Sequence, residues 1–169
     1  MNYNTIKKIH LAVTPFAIVP LFIIVITGII LMFKKESDWI QPPSQYGVGG
    51  IEVSLNSMLD TVKLRDSLGV KSWDDVERVD VRPSKGMAKV RLKSHWEVQI
   101  DTKTGAILQT AYRRSDIIED IHTGAFWGKS VKFIVFLGSA ILLLILLLTG
   151  TYMYVVLMVN RFKKRLSQK

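Results

Sequence analysis

Cysteine is absent from the 169-residue chain. That excludes disulfides, thiol nucleophiles, Cys-ligated metals and iron–sulfur clusters, and leaves any outward-facing domain to its own core or its partners. Charge is absent from two places: no Asp, Glu, Lys or Arg occurs from Ile9 to Phe33 or from Phe133 to Asn160. Each run exceeds the roughly 20 apolar residues that cross a bilayer, so two transmembrane helices are expected, over 9–33 and 131–160. A cleaved signal peptide fits the first run poorly. The run outlasts an apolar signal region of about 7–15 residues, and it ends in Lys34, Lys35 and Glu36 with no small-residue cleavage site.

Acids, in turn, are absent from the two tails, 1–8 and 161–169. These carry Lys7, Lys8, Arg161, Lys163, Lys164, Arg165 and Lys169, which leaves only +2 of the net charge of +9 for everything between. The basicity is therefore topological. By the positive-inside bias both tails are expected in the cytoplasm and the middle segment outside, with anionic membrane lipid as a partner of the tails. Nucleic-acid binding keeps no support.

What lies between the two runs has the pattern of a small folded unit. "KKESDWIQPPSQYGVGG" mixes Pro, Gly and polar residues and reads as a connector over 34–53, with Trp39 at the membrane interface. The segment 54–114 then supplies the unit itself. Leu55, Met58, Leu59 and Val62 recur at helical spacing, with a capping box at Ser57 and Asp60 and a stop at Gly69. "VERVDVRP" alternates imperfectly, "PSKG" is a turn, and "AKVRLKSHWEVQID" places Ala88, Val90, Leu92, Trp96, Val98 and Ile100 on one face. "TKTG" turns into "AILQTAY". The expectation is an α+β unit, one helix against an antiparallel sheet, with a further turn at Lys93 and Ser94 left open. His95 falls opposite Trp96, as an exposed strand residue.

The segment 115–130 reads as an interfacial helix and a step. Ser115 is the expected N-cap, Asp116 and Glu119 lie in the first turn, Ile117, Ile118 and Ile121 form an apolar side, and Gly124 breaks the helix. His122 then lies at the outer membrane edge.

"HWEVQIDTKTGAILQTAYRRSDIIEDIHTGAFWG", followed by an apolar helix containing "LTG", resembles the PepSY domain with its associated transmembrane helix. "KKIHLAVTPFAIVPLFIIVITGIIL" resembles the first helix of the same proteins, with its leading His and its Thr-Gly pair. The resemblance implies a bacterial inner-membrane protein with a periplasmic domain. Larger members have four membrane helices and resemble ferric-siderophore reductases that move electrons through haem b held by histidines; soluble PepSY domains occur in protease propeptides. This chain has two such helices and no flavin or nicotinamide domain, a short form.

The candidate site residues are His10 and His122, as axial ligands of haem iron, with Gly28 and Gly150 beside the cofactor. An ionisable residue at membrane depth is a functional hypothesis, and neutral imidazole ligates haem. Each histidine has a plainer alternative: lipid headgroups for His10, C-terminal helix capping for His122. Gly124 would let a flat macrocycle approach the backbone beside His122. Thr27–Gly28 and Thr149–Gly150 serve either haem contact or close helix packing. Gly28, 18 residues after His10, would share its helix face unless Pro15 and Pro20 kink the helix.

The span to Phe33 separates His10 from His122 by roughly 35 Å at ~1.5 Å per residue, too far for one haem. A homodimer about an axis normal to the membrane would pair like with like and restore four helices. The electron donor and acceptor are not named by any motif. The competing classes are a non-enzymatic interaction or regulatory protein and an accessory subunit of a larger membrane complex. "DTKTGAI" resembles a covalent flavin-attachment signal, but Ile107 stands where the acceptor hydroxyl belongs, so it reads as a turn. Asp116, Glu119 and Asp120 are acids expected on helix-dipole grounds.

Overall fold

The computed structural model describes residues 3–166; residues 1–2 and 167–169, including Lys169 of the basic tail, lie outside them. The chain divides into two compact units, one of residues up to 29 together with 119 onward, the other Ile30–Ile118.

The first unit is helical. Helix α1 spans Tyr3–Met32 and runs through Pro15 and Pro20. After a short helix α3 (Arg114–Thr123), which begins in the other unit, the chain passes a 3-10 turn at Ala125–Trp127, a helical turn α4 (Lys129–Val131) and a π-helical turn (Lys132–Phe136). It then enters α5, Leu137–Leu166. The stretches Tyr3–Met32 and Lys129–Leu166 are long and apolar enough to cross a membrane. Both reach further than the charge-free runs, because a helix continues through terminal Lys and Arg whose stems carry good helix propensity.

The second unit is a four-stranded antiparallel sheet in the order β1-β2-β3-β4, with a helix α2 at Leu55–Lys63. The strands are β1 Val76–Arg82, β2 Met87–Leu92, β3 Trp96–Asp101 and β4 Ile107–Tyr112. The chain is therefore α+β, two long apolar helices flanking a small sheet. Met58, Leu59 and Val62 of α2 bury against Ala88, Val90, Leu92, Val98 and Ile100, the face that the alternation predicts.

Local signals shift in instructive ways. The α2 cap is Ser54, whose hydroxyl accepts from the Ser57 N–H, so the box expected at Ser57 and Asp60 lies one turn late. Gly69 caps a separate 3-10 turn, Asp66–Leu68, in the left-handed conformation. Ser115 sits inside α3, its N–H bonded to the Ile40 carbonyl. Lys93–His95 is a tight turn that happens to preserve alternation from Leu92 to Trp96. His95 is accordingly a turn residue at φ 65°, edge-on to Tyr112, and not an exposed strand residue.

The larger difference is on the sheet's other face. The connector crosses it as a strap: Gln45 N–H donates to Gln99 Oε1 (2.8 Å), Gln99 Nε2 donates to the Pro43 carbonyl (2.8 Å), and Val48 N–H donates to Asp101 Oδ2 (2.7 Å). A side chain on Gly47 would strike the Gly86 carbonyl, so the strap passes only as glycine there. Beneath it lies an ionic layer. Glu97 accepts from Lys89 Nζ (3.0 Å), Gln99 Nε2 (2.8 Å) and Arg113 Nη1 (2.7 Å), with Arg91 Nε at 3.5 Å. Burial pulls the Arg113 guanidinium down, but Asp116 and Glu97 outweigh it and hold the group above its ordinary value.

Candidate functional site

Both histidines belong to the helical unit, and each is held in the same way. His10 Nδ1 lies 2.9 Å from Thr149 Oγ1, and His122 Nδ1 lies 3.0 Å from Thr27 Oγ1. Because His10 near the start of α1 meets Thr149 well along α5, while Thr27 near the end of α1 meets a residue just before α5, the two long helices run antiparallel. The predicted Thr-Gly pairs thus serve histidines, not only helix packing. They also pair crosswise. Gly28 adjoins His122 and Gly150 adjoins His10, so the shared-face relation of His10 with Gly28 places no contact.

The threonines decide which ring nitrogen carries the proton. A hydroxyl has a single proton. Thr27 gives it to the Ile23 carbonyl (2.6 Å) and Thr149 to the Ile145 carbonyl (2.7 Å), the back-bond that Thr makes inside helices. Each Oγ therefore faces its imidazole as an acceptor, and Nδ1 must be the N–H. In neutral imidazole the lone pair then resides on Nε2. A ring fixed by a hydrogen bond at one nitrogen with the lone pair on the other is the arrangement that metal-bound histidines use.

Glycine shapes the space beside each ring. A Cβ at Gly28 would come within 3.3 Å of His122 Cε1, and one at Gly150 within 3.7 Å of His10 Cε1. The first is tighter than ordinary contact, the second is not. Gly124, at φ 77°, ends α3 as expected, but the space its missing side chain leaves is filled by the Phe136 ring, which stacks on Trp127 at 5.6 Å. The expectation that Gly124 admits a macrocycle is corrected: it admits Phe136. That residue closes the π-helical turn, a feature that often marks functional positions.

His10 Nδ1 meets a threonine of α5, and His122 Nδ1 reaches across to a threonine of α1. Since His122 meets α1 at Thr27, the two sites are separated by roughly 25 Å at ~1.5 Å per residue, less than the span to Phe33 implied. The separation still excludes a shared iron. Between them an apolar groove of about 290 Å³ runs along α1, lined by Ala17, Leu21, Val25 and neighbours.

Among the described residues no group of three or more His, Cys, Asp or Glu side chains is placed to hold a metal ion. Each level offers one imidazole nitrogen beside a glycine. Sequence reasoning missed the ionic layer around Glu97; its trace was the opposed charges Lys89, Arg91 and Glu97 on the parity opposite the core.

The family model described as the PepSY-associated TM region matches residues 7–169. Neither the curated proteins nor the solved structures yield a match.

Proposed function

The chain belongs to the PepSY-associated transmembrane family, and we propose that it is a haem b module, two copies of which carry electrons across a bacterial inner membrane to an acceptor outside it. The observation that carries this reading is the double pairing of His10 with Thr149 and of His122 with Thr27. Each pair leaves an Nε2 lone pair beside a glycine, at two levels of one helical unit. Haem, when bound, supplies one-electron chemistry. The chain's own residues do the rest: His10 and His122 ligate, Thr27 and Thr149 set tautomer and ring orientation, and Gly28 and Gly150 keep space open.

A single chain offers one histidine per level, so a second copy supplies the other ligand through an isologous contact. The basic residues at 7–8 and 161–165 support cytoplasmic termini and a periplasmic sheet unit, by the positive-inside bias. The test is an optical spectrum of the detergent-purified protein, oxidised and dithionite-reduced, with a haemochrome assay. A Soret band with b-type reduced peaks, haem and chain in near-equal amounts, and haem loss in His10→Ala and His122→Ala is the expected result. A colourless protein from haem-sufficient cells would defeat the reading.

One observation favours a second reading. The sheet ends in two edge strands, β1 and β4, and an edge can add a partner's strand. An interaction protein or accessory subunit of this kind would copurify with another polypeptide. Association that survives haem depletion would identify it.

A further inference from the structure

In the ionic layer of the sheet unit one carboxylate serves three cations, and it serves them unequally. Glu97 Oε1 accepts from Lys89 Nζ (3.0 Å) and Gln99 Nε2 (2.8 Å), while Oε2 accepts from Arg113 Nη1 (2.7 Å). Arg91 comes last: its Nε stands 3.5 Å from Glu97 Oε2 and makes no hydrogen bond. The Arg91 side chain is only 10% exposed, and its Nε is the one buried side-chain nitrogen left unbonded among the described residues. A buried cationic donor without an acceptor is costly, and such a group calls for a water or an ion.

The neighbour across the strands adds to the cost. Arg78 of the edge strand β1 lies directly opposite Arg91 in the ladder, at the irregularity between Val76 and Arg78. Like charges in that relation destabilise a sheet. The nearby carboxylates do not relieve them. Asp80, two residues along β1, accepts from Arg82 Nε and Nη2 (3.2 and 3.0 Å), and Asp116 accepts from Arg113 Nε (3.1 Å). Glu77, at the irregularity, and Arg78 itself are both exposed, and neither forms an ion pair among the described residues.

We propose that Arg91 and Arg78 together bind a small oxyanion, a ligand whose carboxylate or phosphate group presents two or more oxygens on one centre. Such a group supplies the acceptors that Arg91 lacks and offsets two facing like charges at once. Burial divides the roles. Arg91, with its stem held in the layer, is the oriented donor and loses little side-chain freedom on binding, whereas Arg78 closes on the ligand from the edge of the sheet.

The Arg91 Nε–H resonance reads the site directly. In the full-length protein, with its nitrogens isotopically labelled and in an uncharged detergent, that signal should shift saturably with low-millimolar inorganic phosphate or acetate. Sodium chloride at matched ionic strength should not move it. Arg78→Gln, at an exposed position, should weaken binding of the stronger anion by about tenfold, the worth of one charge-assisted hydrogen bond. Arg65→Gln, at another exposed arginine of the same unit, should leave it unchanged. Saturation by either anion supports the site, and the stronger of the two names the ligand's headgroup. The absence of a saturable shift with both, as expected if water alone serves Nε, would overturn the proposal. So would a shift that chloride reproduces, or binding that survives Arg78→Gln undiminished. None of these readouts depends on haem.

Discussion

In the sheet unit the central strands β2 and β3 are covered on both faces, whereas in the helical unit only 11% of each candidate span's apolar window is buried. The sheet unit matches its charges internally, Glu97 against three cations, and closes its second face with its own connector. The helical unit carries the two His–Thr contacts and hydroxyl back-bonds such as that of Ser139, and exposes many large apolar side chains along its long helices. The difference separates two ways of being finished. One unit is completed by its own chain in water; the other is completed by hydrocarbon and, in the reading proposed, by haem and a second copy.

The most damaging substitution should fall in the sheet. Glu97→Ala leaves Lys89 buried without its counterion and Arg113 with Asp116 alone, and is expected to cost about 3–5 kcal/mol. Thermal melting followed by a sheet-specific signal should show it. A helix signal in detergent that melts with it at the same lowered temperature would break the contrast, because it would mean that the units do not stand separately.

Next in size is Gly124→Ala, which acts on the helical unit. It forces a side chain into a left-handed residue and against the Phe136 ring, at about 2–4 kcal/mol from backbone strain and overpacking together. His122, two residues away, should lose its contact with Thr27 while His10 keeps Thr149. Haem content falling by about half, with the remaining spectrum that of one site, is the expected result. Total loss would indicate that the two levels are coupled.

A smaller effect is expected at the threonines. Thr27→Val and Thr149→Val each remove one hydrogen bond, worth about 1 kcal/mol, with little change in shape. Nitrogen NMR of the haem-free protein should find both rings with the proton on Nδ1 in the natural chain, a mixture at the altered site, and recovery with Ser. Rings protonated on Nε2 in the natural chain would sink the tautomer argument.

The legible parts were those that repeat. Two charge-free runs, the alternation through Ala88 and Ile100, and the Gly124 break were readable because each follows from local periodicity or backbone chemistry. Partnership was less legible. The Thr-Gly pairs could be marked as interface residues, but their crosswise assignment needs the antiparallel packing of helices more than a hundred residues apart in sequence, and no local rule carries it. The strap was hidden for a similar reason. Pro, Gly and polar residues over 41–50 have the composition of a linker, and only the fold reveals that their backbone N–H and carbonyl groups satisfy Gln99 and Asp101. Likewise Lys89, Arg91 and Glu97 look like a solvated face until something covers them.

Acid should sharpen the contrast at its gentlest. The membrane-spanning runs hold no carboxylate, so carboxylate protonation acts only on the groups outside them. Asp101 accepts from the N–H groups of Thr104 (2.8 Å), Val48 (2.7 Å) and Lys103 (2.8 Å), which hold its carboxyl down at about 2 against an ordinary 3.8, despite opposition from burial. A carboxyl whose value is depressed on folding contributes stability that is complete above its unfolded value and lost as the pH falls through the folded one. Asp101 therefore supports the strap fully above pH 4 and progressively less towards pH 2. Asp75, lowered by the Lys71 and Ser72 amides, acts in the same direction. Asp101→Asn should flatten that part of the pH–stability curve and speed hydrogen exchange at the Val48 amide by about tenfold, the worth of one charge-assisted bond. A Val48 amide that exchanges equally fast in both proteins at neutral pH would mean that the strap is held without Asp101, through Gln99, through the Thr102 hydroxyl that donates to the Gly50 carbonyl (2.6 Å) and through the Gly47 N–H that donates to the Lys85 carbonyl (2.8 Å).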